Sequence, residues 1–266
     1  MAHYVVFVHG IGEQRPDAYD PFMARLGSLF PPGQFNGTVA YWADLVQPDE
    51  YYLNKLANRK GVLNNFFVGS FGDVVAYSEL KVPEMEDRYT AIQKRFSAAI
   101  LDMSKKANNN NDTEAQLSVI GHSLGSVIAS DGLYNMINNK RQNSMPTNLT
   151  FNNFFTFGSP IALWGLRYGM NTFNKPIQPN KVWLNFYYPQ DIVAFPLKSI
   201  YDAYKKLDKL EDVSLSPPIF KRRLVTLLPL VGHLVGIWSH SWYFSDMRML
   251  QRIAKEMKRQ LPVASH

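Results

Sequence analysis

Cysteine is absent from the 266 residues, which excludes disulfides, thiolate metal sites and a thiol nucleophile, and is compatible with cytosol or periplasm. Charge is scarce as well. With 19% charged, 46% hydrophobic and 14% aromatic residues, the chain has ample apolar material for a buried core and too little charge to resist collapse. Long apolar runs are missing too. Residues 4–8 are fewer than the ~7–15 of a secretory signal core and end at His9-Gly10, so they read as a buried strand. Residues 224–238 fall short of the ~20 that a spanning helix needs and contain Pro229, Gly232, His233 and Gly236. The expectation is a chain that starts inside its fold and works in the cytoplasm or peripherally at a membrane. The 28 Lys and Arg against 22 Asp and Glu leave +6, which suits an anionic surface, but no basic arm points to nucleic acid.

What is present alternates. Short apolar, β-branched or aromatic runs at residues 4–8, 38–42, 117–120, 153–157 and 182–187, with a weaker sixth after Glu211, read as strands. Amphipathic stretches at 19–30, 86–105, 126–138, 199–210 and 245–260 read as helices between or after them. This rhythm predicts an α/β fold with a mostly parallel central sheet flanked by helices. Asparagine-rich breaks near 108–111 and 138–148 read as surface loops, and no repeat or linker divides the chain, so one domain over 1–266 is expected.

Gly121-His122-Ser123-Leu124-Gly125 follows one of the predicted strands and precedes a helical stretch, the context that makes a G-x-S-x-G match a nucleophile elbow instead of a chance pentapeptide. Gly121 and Gly125 would let neighbouring backbones pass close to the serine. Ser123 is therefore the candidate nucleophile, and it needs a base held by a carboxylate. Between Asp131, inside the helix after the serine, and Asp191 there is no carboxylate at all. Asp191 follows the strand 182–187 and a Pro-Gln turn, where a parallel sheet presents catalytic groups, and it is the expected acid. Asp202, Asp208, Glu211 and Asp212 lie among Lys205, Lys206 and Lys209 and read as solvated charges.

His3 and His9 precede the serine, His122 adjoins it and is expected to point elsewhere, and His266 is terminal. His240, just before the final helix, is the preferred base over His233, which sits within an apolar run and reads better as a core or lid histidine. Two backbone amides should meet the developing oxyanion: Leu124, and one in the turn His9-Gly10-Ile11-Gly12, with Ile11 preferred and Gly10 second. A phosphate-binding turn is the alternative there, but the glycines match neither G-x-G-x-x-G nor a P-loop.

These motifs resemble the α/β-hydrolases and, within them, the DDHD-type phospholipases A. The likeness runs along most of the chain. Phe7 to Gly12 is similar to that family's oxyanion strand, Asp73-Val74-Val75-Ala76-Tyr77 to its Asp-Val-x-x-Tyr segment, and residues 120–126 to its elbow. Gly158-Ser159-Pro160, residues 185–194, and Ser239-His240 with Tyr243 continue it in the same order. Ile192 departs from the proline expected after the acid, and Asp246 stands only near the family's last aspartate. The resemblance implies an α/β-hydrolase fold whose chain starts at the oxyanion strand, a serine esterase acting on acyl lipids, and no cofactor or metal.

The residues by themselves imply acyl transfer to water. A soluble hydrolase of small esters or thioesters, or a non-catalytic membrane-binding module on a hydrolase fold, are the competing readings. Residues 217–238 read either as an apolar lid or as core, and the lid reading assigns membrane contact to Lys221, Arg222, Arg223, Leu227, Leu228 and Leu230.

Overall fold

A strand buried on both faces can be apolar at every position, and the run 4–8 becomes such a strand, β1 (His3–Val8), with every residue buried. Tyr4, Val6 and Val8 enter one hydrophobic cluster, while Val5 and Phe7 enter another on the opposite face. The computed structural model describes residues 2–11, 15–46, 77, 88–138, 144–165, 176–217 and 239–259. Residues 218–238, with His233 and all six predicted membrane contacts, and Asp73 to Ala76 of the Asp-Val-x-x-Tyr segment lie outside them.

Around β1 the described strands form one parallel sheet in the order β2-β1-β3-β4-β5-β6. They are β2 (Phe35–Ala40), β3 (Ala115–His122), β4 (Leu149–Phe157), β5 (Val182–Tyr187) and β6 (Leu210–Ser214). Helix α1 (Asp20–Gly27) lies between β1 and β2, α2 (Arg88–Asn109) precedes β3, and α3 (Leu124–Ile137) follows it. The short α4 (Ile161–Trp164) and α5 (Asp202–Lys205) follow β4 and β5, and α6 (Met247–Lys258) closes the described chain. Helices α2 and α3 pack into the cluster of Tyr4, Val6 and Val8; α1 and α6 pack into that of Val5 and Phe7. The sheet is thus sandwiched as the alternation predicts. Full burial of a side chain such as Phe7 contributes about 2–3 kcal/mol, so each face is held by many such terms.

Three of the differences from the predicted bounds have a visible reason. The second strand ends at Ala40 rather than residue 42, because the Trp42 N–H leaves the sheet to bond the His9 ring. The first helix stops at Gly27, and the next residues continue only as tight turns, with Leu29 and Phe30 N–H bonding carbonyls three residues back, ahead of Pro31. The helix expected over 199–210 shrinks to the single turn of α5. Its buried Tyr201, Tyr204, Leu207 and Leu210 are spaced by three, and the N–H groups of 204, 207 and 210 each bond the carbonyl three residues back. A three-residue spacing repeated without fours marks successive tight turns, not an α-helix.

Because β1 has β2 on one side and β3 on the other, the strand order reverses there, and in parallel sheets such a reversal is where functional groups gather beyond the carboxyl ends of the strands. The register aligns Val8 with Gly121 and His122 with Phe157, so the turn after β1 and the end of β4 flank the serine.

Candidate active site

Ser123 caps α3 with φ 52° and ψ −131°, one of two positive-φ non-glycine residues among those described. Such a conformation costs about 1–3 kcal/mol and persists only where the surroundings impose it. Here the Ser123 N–H donates to the Phe157 carbonyl, and the Ser123 carbonyl accepts both the Ser126 N–H at 2.9 Å and its hydroxyl at 2.6 Å. A Cβ on Gly125 would collide with the carbonyl oxygens of Val8 and His9, and one on Gly121 would lie 2.5 Å from the Ser126 Cα. The two glycines of the elbow are therefore a steric requirement of this crossing, as their spacing suggested.

Asp191 and His240, assigned from the sequence without any spatial information, meet: His240 Nδ1 donates to Asp191 Oδ2 at 2.8 Å. The carboxylate side chain is fully buried. Its Oδ1 accepts the Val193 N–H at 3.0 Å, and Oδ2 also accepts the Tyr243 hydroxyl at 2.8 Å. With Nδ1 donating, the other nitrogen of a neutral ring is the basic one. That Nε2 is buried and has no hydrogen-bond partner among the described residues, Ser123 included. The imidazole packs on Gly158, the residue after the carbonyl that accepts the Ser123 N–H, so one stretch of main chain meets both base and serine.

The turn after β1 presses on the elbow from the other side. A Cβ on Gly10 would stand 2.7 Å from the Ser123 Cβ, and Ile11 follows at the rim, partly buried. Leu124 is the first residue of α3, so its N–H has no intrahelical acceptor and lies beside the serine. Gly10, Ile11 and Leu124 are thus grouped around Ser123.

His9 precedes the serine in the chain, and its place in the fold shows what it does. Its Nε2 accepts the Trp42 N–H at 3.1 Å, so its Nδ1 carries the proton and donates to the Gly10 carbonyl at 2.8 Å. The ring is stacked on Trp42, with centroids 4.9 Å apart and planes 3° apart. A neutral imidazole thus pins the turn of Gly10 to the end of β2. Burial lowers its pKa from 6.5 to about 4, and burial with the nearby Lys181 cation does the same to His3, also to about 4. Between pH 6.5 and 4 the unfolded chain binds protons that the folded chain refuses, so stability is full above this window and falls as pH drops through it. Thermal melts should show Tm decreasing from pH 7 toward pH 4, with His9 contributing about 3 kcal/mol across the window. The decline should be shallower in His9→Gln; an unaltered slope would assign the proton uptake to other groups.

His122 does not point away. Its ring lies 4.8 Å from that of His240, and its Nε2 donates to the His240 carbonyl at 3.2 Å. Burial above all, and the neighbouring His240, hold it well below the usual imidazole range. Asp212 is not a solvated helix charge either. It lies on β6 and accepts the N–H groups of Leu197 and Lys198 and the Asn185 amide, which also donates to the Phe195 carbonyl at 2.9 Å. This brace fixes the chain that leaves Asp191. Asp131, within α3, accepts from the buried Tyr77 hydroxyl at 3.1 Å. Asp246 caps α6 and is bonded by Tyr188 and by Arg248.

Fold and site together define an α/β-hydrolase of the serine type. The chain belongs to the family described as "Putative serine esterase (DUF676)", whose model matches residues 43–185, more than half of the sequence. Among solved structures, it is similar to an α/β serine hydrolase homologue from Coxiella burnetii, at 11% identity over 89% of this chain and 84% of that one, with a TM-score of 0.41. A thioesterase of prodiginine biosynthesis from Streptomyces coelicolor aligns at 10% identity over 96% and 85%, TM-score 0.41. An esterase domain from Rhodothermus marinus aligns at 11% over 89% and 86%, TM-score 0.36. No curated protein matches the sequence. No described helix is long and apolar enough to cross a membrane.

Proposed function

We propose that this hydrolase cleaves carboxylic esters of acyl lipids, with Ser123 as nucleophile, His240 as general base and Asp191 as the carboxylate that orients it. The observation that carries the reading is the His240 ring itself: one nitrogen bonded to a buried carboxylate, the other without a partner among the described residues, and the ring packed on Gly158 next to the carbonyl that holds the strained Ser123. The Ser123 oxygen attacks the ester carbonyl carbon while its proton passes to His240 Nε2. The tetrahedral oxyanion is met by the N–H of Leu124 and one from Gly10 or Ile11. Collapse breaks the C–O bond, and His240 returns the proton to the leaving alcohol. Water, deprotonated by the same nitrogen, then releases the acid and restores Ser123. The lipid class is supported by the motif resemblance, and single exposed apolar side chains follow two of the strands, Ile192 next to Asp191 and Leu163 on α4.

The test is a fluorophosphonate probe followed by peptide mapping, together with product mass spectrometry on phospholipids, glycerides, short-chain esters and acyl thioesters. Label on Ser123 and release of fatty acid from long-chain lipids are expected. Turnover of short esters or thioesters alone would move the substrate class, and the absence of any label would favour a non-catalytic role.

A glycine supplies a second check on the geometry. Gly158 has φ +60°, and a Cβ there would stand 2.9 Å from His240 Cε1 and 3.1 Å from both His240 Nδ1 and Tyr243 Cε2. Gly158→Ala should therefore displace the imidazole. Ester turnover is expected to fall about 100-fold, the effect of roughly 1 Å of misplacement, while circular dichroism still reports a folded α/β protein. Full activity would mean that the base is not the ring lying on Gly158.

A further inference from the structure

The Asp191 oxygen that receives His240 also receives a second buried donor, and nothing in the triad chemistry requires one. We propose that Tyr243 is a positioning residue of this site, whose hydroxyl sets how tightly Asp191 holds the His240 imidazole and thereby the pH at which His240 becomes a base. This rests on the hydrolase reading above.

The direction of the bonds follows from what each group can do. The Tyr188 N–H, which can only donate, bonds the Tyr243 oxygen at 3.1 Å, so the phenol's own hydrogen is directed to Asp191 Oδ2 at 2.8 Å. Tyr243 is fully buried. Burial first, and the adjacent Asp191 charge second, raise its pKa, so it remains a donor throughout the range in which His240 could act. Each donor to a carboxylate spreads its charge and weakens its pull on an imidazolium. Without the phenol, Oδ2 would serve His240 alone. The protonated ring would be favoured, and a higher pH would be needed to obtain the neutral base.

The groups facing this pair come from several elements. Asp191 and Tyr188 lie beyond β5, with the Tyr188 ring 4.8 Å from that of Tyr243. His122 faces His240 from β3, and His9 lies behind His122. Beyond Tyr188 stand Asp246 and Arg248 at the start of α6, where the Tyr188 hydroxyl donates to Asp246 at 2.6 Å. Burial alone would raise the Asp246 carboxyl, but the donors from Arg248 and Tyr188 hold it below the usual range. The Tyr188 hydroxyl thus braces the backbone that bonds Tyr243 without touching Asp191 itself. That separation supplies the control.

The experiment compares wild type, Tyr243→Phe, Tyr188→Phe and a protein carrying 3-fluorotyrosine at position 243. Two readouts are taken: the pH profile of kcat/KM on a short soluble ester, and the imidazole titration of His240 by NMR, assigned with His240→Gln. In Tyr243→Phe the acid limb and the His240 titration should both rise by about half to one pH unit, with kcat lowered about 10-fold. Fluorination acidifies the phenol and strengthens its donation, so there both should fall by a few tenths of a unit. Tyr188→Phe should melt earlier with the limb unmoved. A limb and titration unchanged in Tyr243→Phe, or shifted equally in Tyr188→Phe, would overturn the proposal. If Tyr243→Phe does not fold, the fluorotyrosine protein decides, because an unmoved titration there is equally fatal. If the wild type neither turns over esters nor takes the probe, the hydrolase reading fails, while the NMR titration still tests the link from Tyr243 to His240.

Discussion

Ser123→Ala should abolish ester hydrolysis, with kcat reduced on the order of 10⁶-fold, and leave the melting temperature almost unchanged. The two halves of this expectation have separate causes. The serine is held at φ 52° by bonds from its own N–H and carbonyl, none of which uses the hydroxyl, so alanine keeps every contact that imposes the turn. The Oγ supplies only the reaction. His240→Ala should be as damaging, because residues of a triad act as a unit. The check is steady-state kinetics beside calorimetry on the same preparations. Residual turnover near wild type would require a different nucleophile, and a large loss of stability would mean that the hydroxyl is part of the fold.

Asp191→Asn should lower kcat by about 10⁴-fold, the loss that follows when the orienting carboxylate of a triad becomes an amide. With its carbonyl oxygen in the place of Oδ1, the amide still accepts the Val193 N–H, and its NH₂ replaces the Oδ2 that served both Tyr243 and His240. Its NH₂ group then faces His240 Nδ1 and can only donate. The proton on the imidazole would move to Nε2, the nitrogen that must be bare to receive the serine proton. Active-site labelling should slow in parallel, while far-ultraviolet circular dichroism stays native. Near-normal activity would hand the role to another acid, yet the alternatives are occupied: Asp202 is exposed and paired with Lys205 at 2.7 Å, and Asp212 is bound to backbone amides.

How much of this could be read in advance depended on whether a residue's role was local. The strands were legible because a strand covered by helices on both faces is apolar throughout, as β1 is. The elbow was legible because its glycines and serine form a compact five-residue pattern, although the backbone that Gly125 makes room for is that of Val8 and His9. Asp191 emerged by elimination, from the long stretch without carboxylates. Roles that depend on contacts across the fold left little trace. Nothing about residue 9 announces a neutral ring stacked on Trp42, and nothing about Asp212 distinguishes it from the charges around Lys209 until β6 is paired with β5. His122 was misjudged for the same reason: the direction of its ring is fixed by the carbonyl of His240, 118 residues later. The stretch 199–210 has the length and mixed polarity of a helix, and only the three-residue bonding of Tyr204, Leu207 and Leu210 shows it to be a run of tight turns.

The bond from His122 to the His240 carbonyl has a consequence for how such a protein can diversify. It fastens the loop bearing the candidate base to the residue that precedes the candidate nucleophile, using main chain on one side. The acid is secured separately, through Asn185 and Asp212. The two anchors share no residue, so substitution in one leaves the bonds of the other intact.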